Sequence, residues 1–482
     1  MRTNVRATSA EVPLTHEGAR AVRITHEMEL RRSVMACMLF EDEFYEDGVK
    51  IADRIADLVG KVDGITVAKI AREARSQGKL RHVPLWLARN LVKTGYSDAA
   101  GVLTDVIQRP DEITEFLALY WKDGRTPLAH SVKRGLAAAF EKFDEYGLAK
   151  YDRDEKIKLR DVLFMVHGKT KDIVLAERAA TRATRNTSGE EADAHGDVIY
   201  ADPVKKKGYK RGKVRRHGGS LAEKVVARTL EIPDTWEVRL SEAKTPQQKR
   251  EVWMGLLGRK HLGALALLRN LRNMKEVAVP DELVREALSQ MKVDRVLPFR
   301  FLTAARYAPA LEPDLETAMF RCLSDQEKLS GETVVIVDVS GSMDSKVSGK
   351  SEIKRMDAAC GVAILAREIC EQVGIIAFSE QPKVIPARRG IALRDAIVNS
   401  MQHGNTNTQY ALTLARQQFP NATRTIVITD EQSAQVIAAP PGLGYVMNVA
   451  SAQHGIGYGS WLHVDGFSEA VIDFIRVSEQ VK

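Results

Sequence analysis

Between about Glu27 and Gln326 apolar residues recur at three- and four-residue steps, in segments such as MELRRSVMACMLF, VKIADRIADLVG, PLWLARNLVK and DEITEFLALYW. That period gathers the apolar side chains on one face of a helix, so the pattern predicts amphipathic helices and almost no strand. Breaks at Gly60, Gly78, Gly95, Pro110, Gly124 and Pro127 cut it into short helices with short connections, which suits antiparallel pairs. A degenerate solenoid of helical hairpins and an irregular bundle bury such helices equally well, and the pattern leaves both open.

After Leu329 the texture changes. TVVIVDVS, VGIIAFS and TRTIVITD read as buried strands, and MDAACGVAILAREICEQ and NTQYALTLARQQF as helices between them. Strands that are continuously apolar are buried on both faces, so the expected architecture is a mostly parallel, doubly wound sheet. The fold class is therefore α followed by α/β. The expected domains are a flexible N-terminus over 1–26, a helical region over 27–328 and an α/β domain over 329–482.

Helical periodicity disappears over 181–220, where SGEEADAHGD gives way to VKKKGYKRGKVRRHGGS. In this expected insertion loop Lys205, Lys206, Lys207, Lys210, Arg211, Lys213, Arg215 and Arg216 surround Tyr209, and Gly208 and Gly212 leave the backbone free to follow a phosphate chain. Most such runs are simply solvated. Its place inside a folded region favours RNA contact.

Composition adds modest constraints. The 482 residues are 44% hydrophobic and 28% charged with a formal net charge of +7, an ordinary globular balance that agrees with a polyanionic partner without requiring one. Cys37, Cys322, Cys360 and Cys370 are scattered and form no C-x-x-C pair, so neither a zinc ribbon nor a disulfide framework is indicated, and a reducing cytoplasm fits. No run approaches the ~18 apolar residues of a membrane span. The N-terminus lacks the apolar core of a secretory signal; an organelle transit peptide is harder to exclude by composition, although Glu11, Glu17 and Glu27 make this stretch more acidic than such peptides usually are. The expected location is cytoplasmic, with no membrane partner.

The strongest chemical signal is Asp338-Val-Ser340-Gly-Ser342 at the carboxyl end of the first buried strand, the edge where open α/β sheets place ligands. A carboxylate and two hydroxyls at two-residue steps are hard oxygen donors suited to Mg²⁺. Thr406, just before a helix, and Asp430, at the end of TRTIVITD, complete the set. Any one of these could be a cap or a strand end; all five together are hard to explain that way. The nearby Gly349-Lys350-Ser351 is not a phosphate loop, because Asp344 stands where that pattern requires Gly. No Ser/His/Asp triad, Cys/His pair or H-E-x-x-H motif is evident, so no enzyme activity is expected.

The five-residue set resembles the metal-ion-dependent adhesion site of von Willebrand factor A domains. By that resemblance Ser340, Ser342 and Thr406 supply hydroxyl oxygens, Asp338 and Asp430 balance the charge directly or through water, and one coordination position stays open for a partner's Asp or Glu. With RRSVMACMLFEDEFYEDG, ALALLRNLRNM (Ala264 to Met274) and VLPFRFLTAARY (Val296 to Tyr307) ahead of it, the chain resembles the Ro autoantigen family over roughly 27–482, with bacterial Ro-related members nearest.

The resemblance implies a HEAT-like helical-repeat ring, called the TROVE module, fastened by the A domain. It implies Y-like small RNA on the rim, single-stranded RNA ends in the central hole, a role in RNA quality control or stress response, and tethering of an exoribonuclease such as polynucleotide phosphorylase. For the rim, Lys150, Tyr151 and His167 match a family segment that holds Y RNA, whereas the family's Arg four residues after that Lys is Asp154 here, with Arg153 adjacent. The competing class is a Mg²⁺-dependent protein adaptor with no specific RNA role. An RNA hydrolase built on Asp338 and Asp430 is disfavoured, because two-metal phosphoryl chemistry needs a denser carboxylate cluster.

Overall fold

The computed structural model describes residues 13–21, 24–35, 48–78, 80–152, 156–169, 221–231, 234–260, 262–293, 296, 298–324, 327–347, 353–450, 455, 459–466, 475–476 and 478–479. These form two compact units. One comprises Met1–Leu87 with Asp234–Lys482, and the other Ala88–Pro233. The chain thus leaves the first unit within helix His82–Lys93 and returns to it near residue 234.

Helices dominate as far as Leu323, and their ends carry the signals expected of them. Asp63 caps Gly64–Ser76 by accepting from the Thr66 amide, and Thr245 and Gln248 form a reciprocal capping box on Pro246–Gly258 with Pro246 in the first turn. The helices stack on their next-but-one neighbours. In the first unit Pro246–Gly258 packs on Asp281–Gln290, which packs on Glu312–Leu323; in a second layer Ala264–Glu276 packs on Pro298–Tyr307. In the other unit Ala99–Val106 packs on His130–Phe140, which packs on Leu159–Val166. Two-layer stacking of this kind is how helical hairpins build a solenoid, so here the repeat reading prevails over the irregular bundle.

The C-terminal part is a six-stranded sheet of β1 (Leu329–Asp338), β2 (Cys370–Phe378), β3 (Pro382–Val384), β4 (Arg424–Thr429), β5 (Leu443–Asn448) and β6 (Leu462–Asp465), in the order β3-β2-β1-β4-β5-β6. All pairs are parallel except β2 with β3. The period-2 alternation of strands sends Val335, Val337, Ile426 and Ile428 to one face and Val334, Ile336, Ile376, Phe378 and Val427 to the other. The second face is covered by Ala411, Leu412 and Ala415 of Thr408–Gln418. The first face merges with the helical layers, because Arg355–Ile369 packs on Pro298–Tyr307 and places Phe301 and Leu315 in one core with the sheet.

Of the flexible N-terminus expected over 1–26, residues 13–21 and 24–26 are described, and the first of these stretches departs from that expectation. Residues 13–21 form a small hairpin with Leu14 bridged to Arg20, and Thr15, Ala19 and Ala21 are buried. Its tip bonds to the α/β part, which removes the freedom that its polar composition suggests. The insertion over 181–220, including the basic run 205–216, lies outside the described residues.

Candidate metal centre and nucleic-acid interface

Parallel pairing of Val337 with Ile428 puts the ends of β1 and β4 side by side, so Asp338, Thr429 and Asp430 meet at the carboxyl edge of the sheet. Asp338 is fully buried. One of its carboxylate oxygens accepts from the Ser340 amide at 2.8 Å and the other from the Thr429 hydroxyl at 2.6 Å. Ser340 and Ser342 follow on a short turn, with their hydroxyl oxygens 3.3 Å apart. That turn is pinned from outside: Asp344 accepts from Lys354 at 3.2 Å and shares a 2.6 Å hydrogen bond with His403, and the Gly341 amide donates to Gly404.

Thr406 is buried on the loop before Thr408–Gln418. Its carbonyl accepts from the Ala434 amide at 2.7 Å and the Ser433 hydroxyl at 3.3 Å, which ties it to the Asp430 loop. Ser379, at the end of β2, completes the stitching by donating to the Asn405 carbonyl and accepting from the Gly404 amide. The structure therefore gathers all five sequence-predicted residues on connected strand-end loops.

Electrostatics give the arrangement its chemical meaning. Burial, and then the charge of Asp430, push the Asp338 carboxyl up to about 7, because a carboxyl out of water beside a second carboxylate resists ionising. Hard oxygen donors around such a pair fit a divalent cation, which would relieve that cost. Among the described residues no group of three His, Cys, Asp or Glu side chains is placed to hold a metal, so any such ion relies on the serine and threonine hydroxyls. Sequence reasoning missed three neighbours. Thr429 holds Asp338, buried Arg355 sets its guanidinium 3.5 Å from Asp430, and buried Glu431 follows Asp430 with φ at +60°.

The Glu431 carboxylate is anchored by charge. Arg32, on helix His26–Met35, lies 2.7 Å from one of its oxygens and His463 of β6 lies 2.7 Å from the other; His463 also pairs with Asp465 at 2.7 Å. Burial alone would raise the Glu431 carboxyl, but Arg32 and His463 overcome it and hold it at about 2. Burial alone would lower His463, yet Asp465 and Glu431 lift it to about 10.

The residues expected to meet RNA lie in the other unit. Lys150 and Tyr151 end helix Glu145–Tyr151, and Tyr151 is half-buried with the Arg109 guanidinium 4.7 Å and the Lys150 ammonium 5.8 Å from its ring centroid. Exposed His167 caps helix Leu159–Val166 in the left-handed region, with φ 52° and ψ 42°. In the same unit a groove of about 540 Å³ is lined by Trp121, Arg125, Lys156, Asp161 and Phe164. Arg125 lies 5.0 Å from the Trp121 ring centroid, and Phe164 is 60% exposed. The sequence reading did not single out this groove, because its basic and aromatic residues are dispersed over 121–165. Arg153 and Asp154 lie outside the described residues. In the first unit, burial and then the charge of Arg269 hold Arg300 below its ordinary value.

Comparison with known proteins bears on both parts. Residues 227–358 match the TROVE domain and residues 333–432 the von Willebrand factor type A domain. In these segments the chain is similar to proteins of the TROVE and von Willebrand factor type A families. Its fold matches the crystal structure of the Ro (RSR) protein of Deinococcus radiodurans with a TM-score of 0.58 at 18% identity, covering 93% of this chain and 98% of that one. A second solved structure, an aerotolerance-related membrane protein from Bacteroides fragilis, reaches a TM-score of 0.20 at 19% identity over 25% of this chain and 67% of that one. No curated protein sequence matches. No described helix is long and apolar enough to cross a membrane.

Proposed function

We propose that the chain is the RNA-binding scaffold of a Ro-type ribonucleoprotein. Its helical region holds a Y-like small RNA and the single-stranded ends of structured or misfolded RNA, and its A domain offers a Mg²⁺ centre to a carboxylate-bearing partner. The observation that carries the RNA reading is the cation-and-ring surface of the Ala88–Pro233 unit. Lys150 beside Tyr151, and the Trp121–Arg125–Lys156–Phe164 groove, pair phosphate-neutralising charges with rings on which bases stack.

At the A domain Ser340, Ser342 and Thr406 would hold the ion through their hydroxyls, while Asp338 and Asp430 balance its charge. When bound, the ion supplies a Lewis-acidic position that accepts a carboxylate. Asp344, His403 and Ser379 keep the loops in register. This is capture rather than turnover, and it suits the recruitment of a protein such as an exoribonuclease.

The test is RNA binding measured against salt. Trp121→Ala and Phe164→Ala are each expected to weaken single-stranded RNA binding by about tenfold with little change in salt slope, as loss of one stacked base would. Replacing the eight basic residues of 205–216 with Ser is expected to flatten the slope. Affinity indifferent to both sets and to salt would favour the alternative, a Mg²⁺-dependent protein adaptor, whose partner binding would instead vanish with chelator.

A further inference from the structure

The N-terminal hairpin ends in a turn, Thr15-His16-Glu17-Gly18, closed by the Gly18 amide donating to the Thr15 carbonyl at 3.0 Å. Gly18 has φ at +86°, a conformation that favours glycine and makes the turn tight. The tip is seated on the loop that follows Asp430. The Thr15 hydroxyl donates to the Ser433 carbonyl at 2.9 Å, and the His16 amide donates to the Gln432 side-chain oxygen at 2.8 Å. Gln432 is itself bonded to Asp430, its amide lying 3.3 Å from a carboxylate oxygen and its side-chain nitrogen 3.4 Å from the carbonyl. Only one residue therefore stands between Asp430 and the backbone of the hairpin tip.

Glu17 is next along that tip. It is half-buried, although it occupies a turn of polar residues beside exposed His16 and Gly18. We propose that Glu17 is an intrinsic ligand of the metal centre, its carboxylate filling the coordination position left open by Ser340, Ser342 and Thr406. The proposal rests on the reading of that edge as a Mg²⁺ site and adds the occupant. Burial raises the Glu17 carboxyl, His16 opposes this, and Asp430 and then Glu380 add to it, so the two site-edge carboxylates are within electrostatic reach. A divalent cation held at this edge by the three hydroxyls would offset that repulsion.

The second tether points the same way. Arg32 holds Glu431, the residue after Asp430, from helix His26–Met35, so the N-terminal segment grips the Asp430 loop at two points and Glu17 lies on the hairpin that makes the first. An external acidic partner would then have to displace Glu17, and the ion would fasten the N-terminus to the A domain rather than wait for a ligand.

The test uses the full chain, wild type and variants, with Mn²⁺ as the probe in calorimetry and trypsin cleavage after exposed Arg20 as a second readout. Wild type is expected to bind one Mn²⁺, and Mn²⁺ to slow cleavage. Glu17→Gln, and Glu17→Asp whose carboxylate falls one methylene short, are expected to bind Mn²⁺ about tenfold more weakly and to lose the protection. Glu380→Gln is expected to behave as wild type. Unchanged Mn²⁺ affinity in Glu17→Gln would overturn the intrinsic-ligand proposal and leave the metal centre standing, as would a loss confined to Glu380→Gln. Absence of Mn²⁺ binding by the wild type would overturn the metal centre and this proposal together.

Discussion

The carboxylates at the sheet edge show how residues distant in sequence acquire a joint property. Asp338 alone would ionise normally on a surface; under buried conditions beside Asp430 its carboxyl is pushed up to about 7. Replacing both with Ala is expected to abolish Mg²⁺-dependent thermal stabilisation, which for a bound ion at a hundredfold excess over Kd is about 2.7 kcal/mol, while RNA affinity persists. A melting curve with and without Mg²⁺, run beside an RNA titration, checks both halves. Arg355, 3.5 Å from Asp430 and fully buried, supplies a fixed positive charge at the same edge. Arg355→Met is expected to destabilise the protein in chelator by about 3–5 kcal/mol, the cost of leaving a buried charge partner exposed to repulsion, and Mg²⁺ to restore part of it. Denaturant titration in both conditions measures this.

Among the elements, the next-but-one stacking of helices depends on close approach at a few small residues. Gly135 on His130–Phe140 faces Ala99–Val106, where a Cβ would lie 2.9 Å from the Ala100 carbonyl and 3.0 Å from the Leu103 side chain. The Thr104 hydroxyl bridges the two helices through the Ala100 and Gly135 carbonyls. Gly135→Ala is expected to destabilise by about 1–3 kcal/mol despite the better helix propensity of alanine, because backbone must move. Thermal unfolding of the variant decides the sign. The strands tell the complementary story. Their uninterrupted Val and Ile content made the doubly wound sheet legible, since each strand must satisfy Arg355–Ile369 and the helical layers on one face and Thr408–Gln418 on the other.

For the whole molecule, the Arg32–Glu431–His463–Asp465 network joins the N-terminal helix to the A domain and makes stability depend on pH in two directions. Glu431 is lowered from 4.5 to about 2, so its contribution is present above 4.5 and is lost as pH falls towards 2. His463 is raised from 6.5 to about 10, so its contribution is complete below 6.5 and is lost as pH rises through 10. Melting temperature is expected to peak between these ordinary values and to fall on both sides, and His463→Gln to remove the alkaline decline; a profile unchanged by that substitution would refute the assignment. The order of helices and strands, the five residues gathered at the sheet edge and the resemblance to Ro-type proteins were legible in the chain, because periodicity, strand-end position and short motifs are local. The Glu431 anchor, the Arg355 countercharge, the dispersed Trp121–Phe164 groove and the seating of Thr15 and His16 on the loop after Asp430 were decided only by tertiary structure. Each depends on groups tens to hundreds of residues apart being brought out of water together, and neither the proximity nor the dielectric that gives it force is written in any single segment.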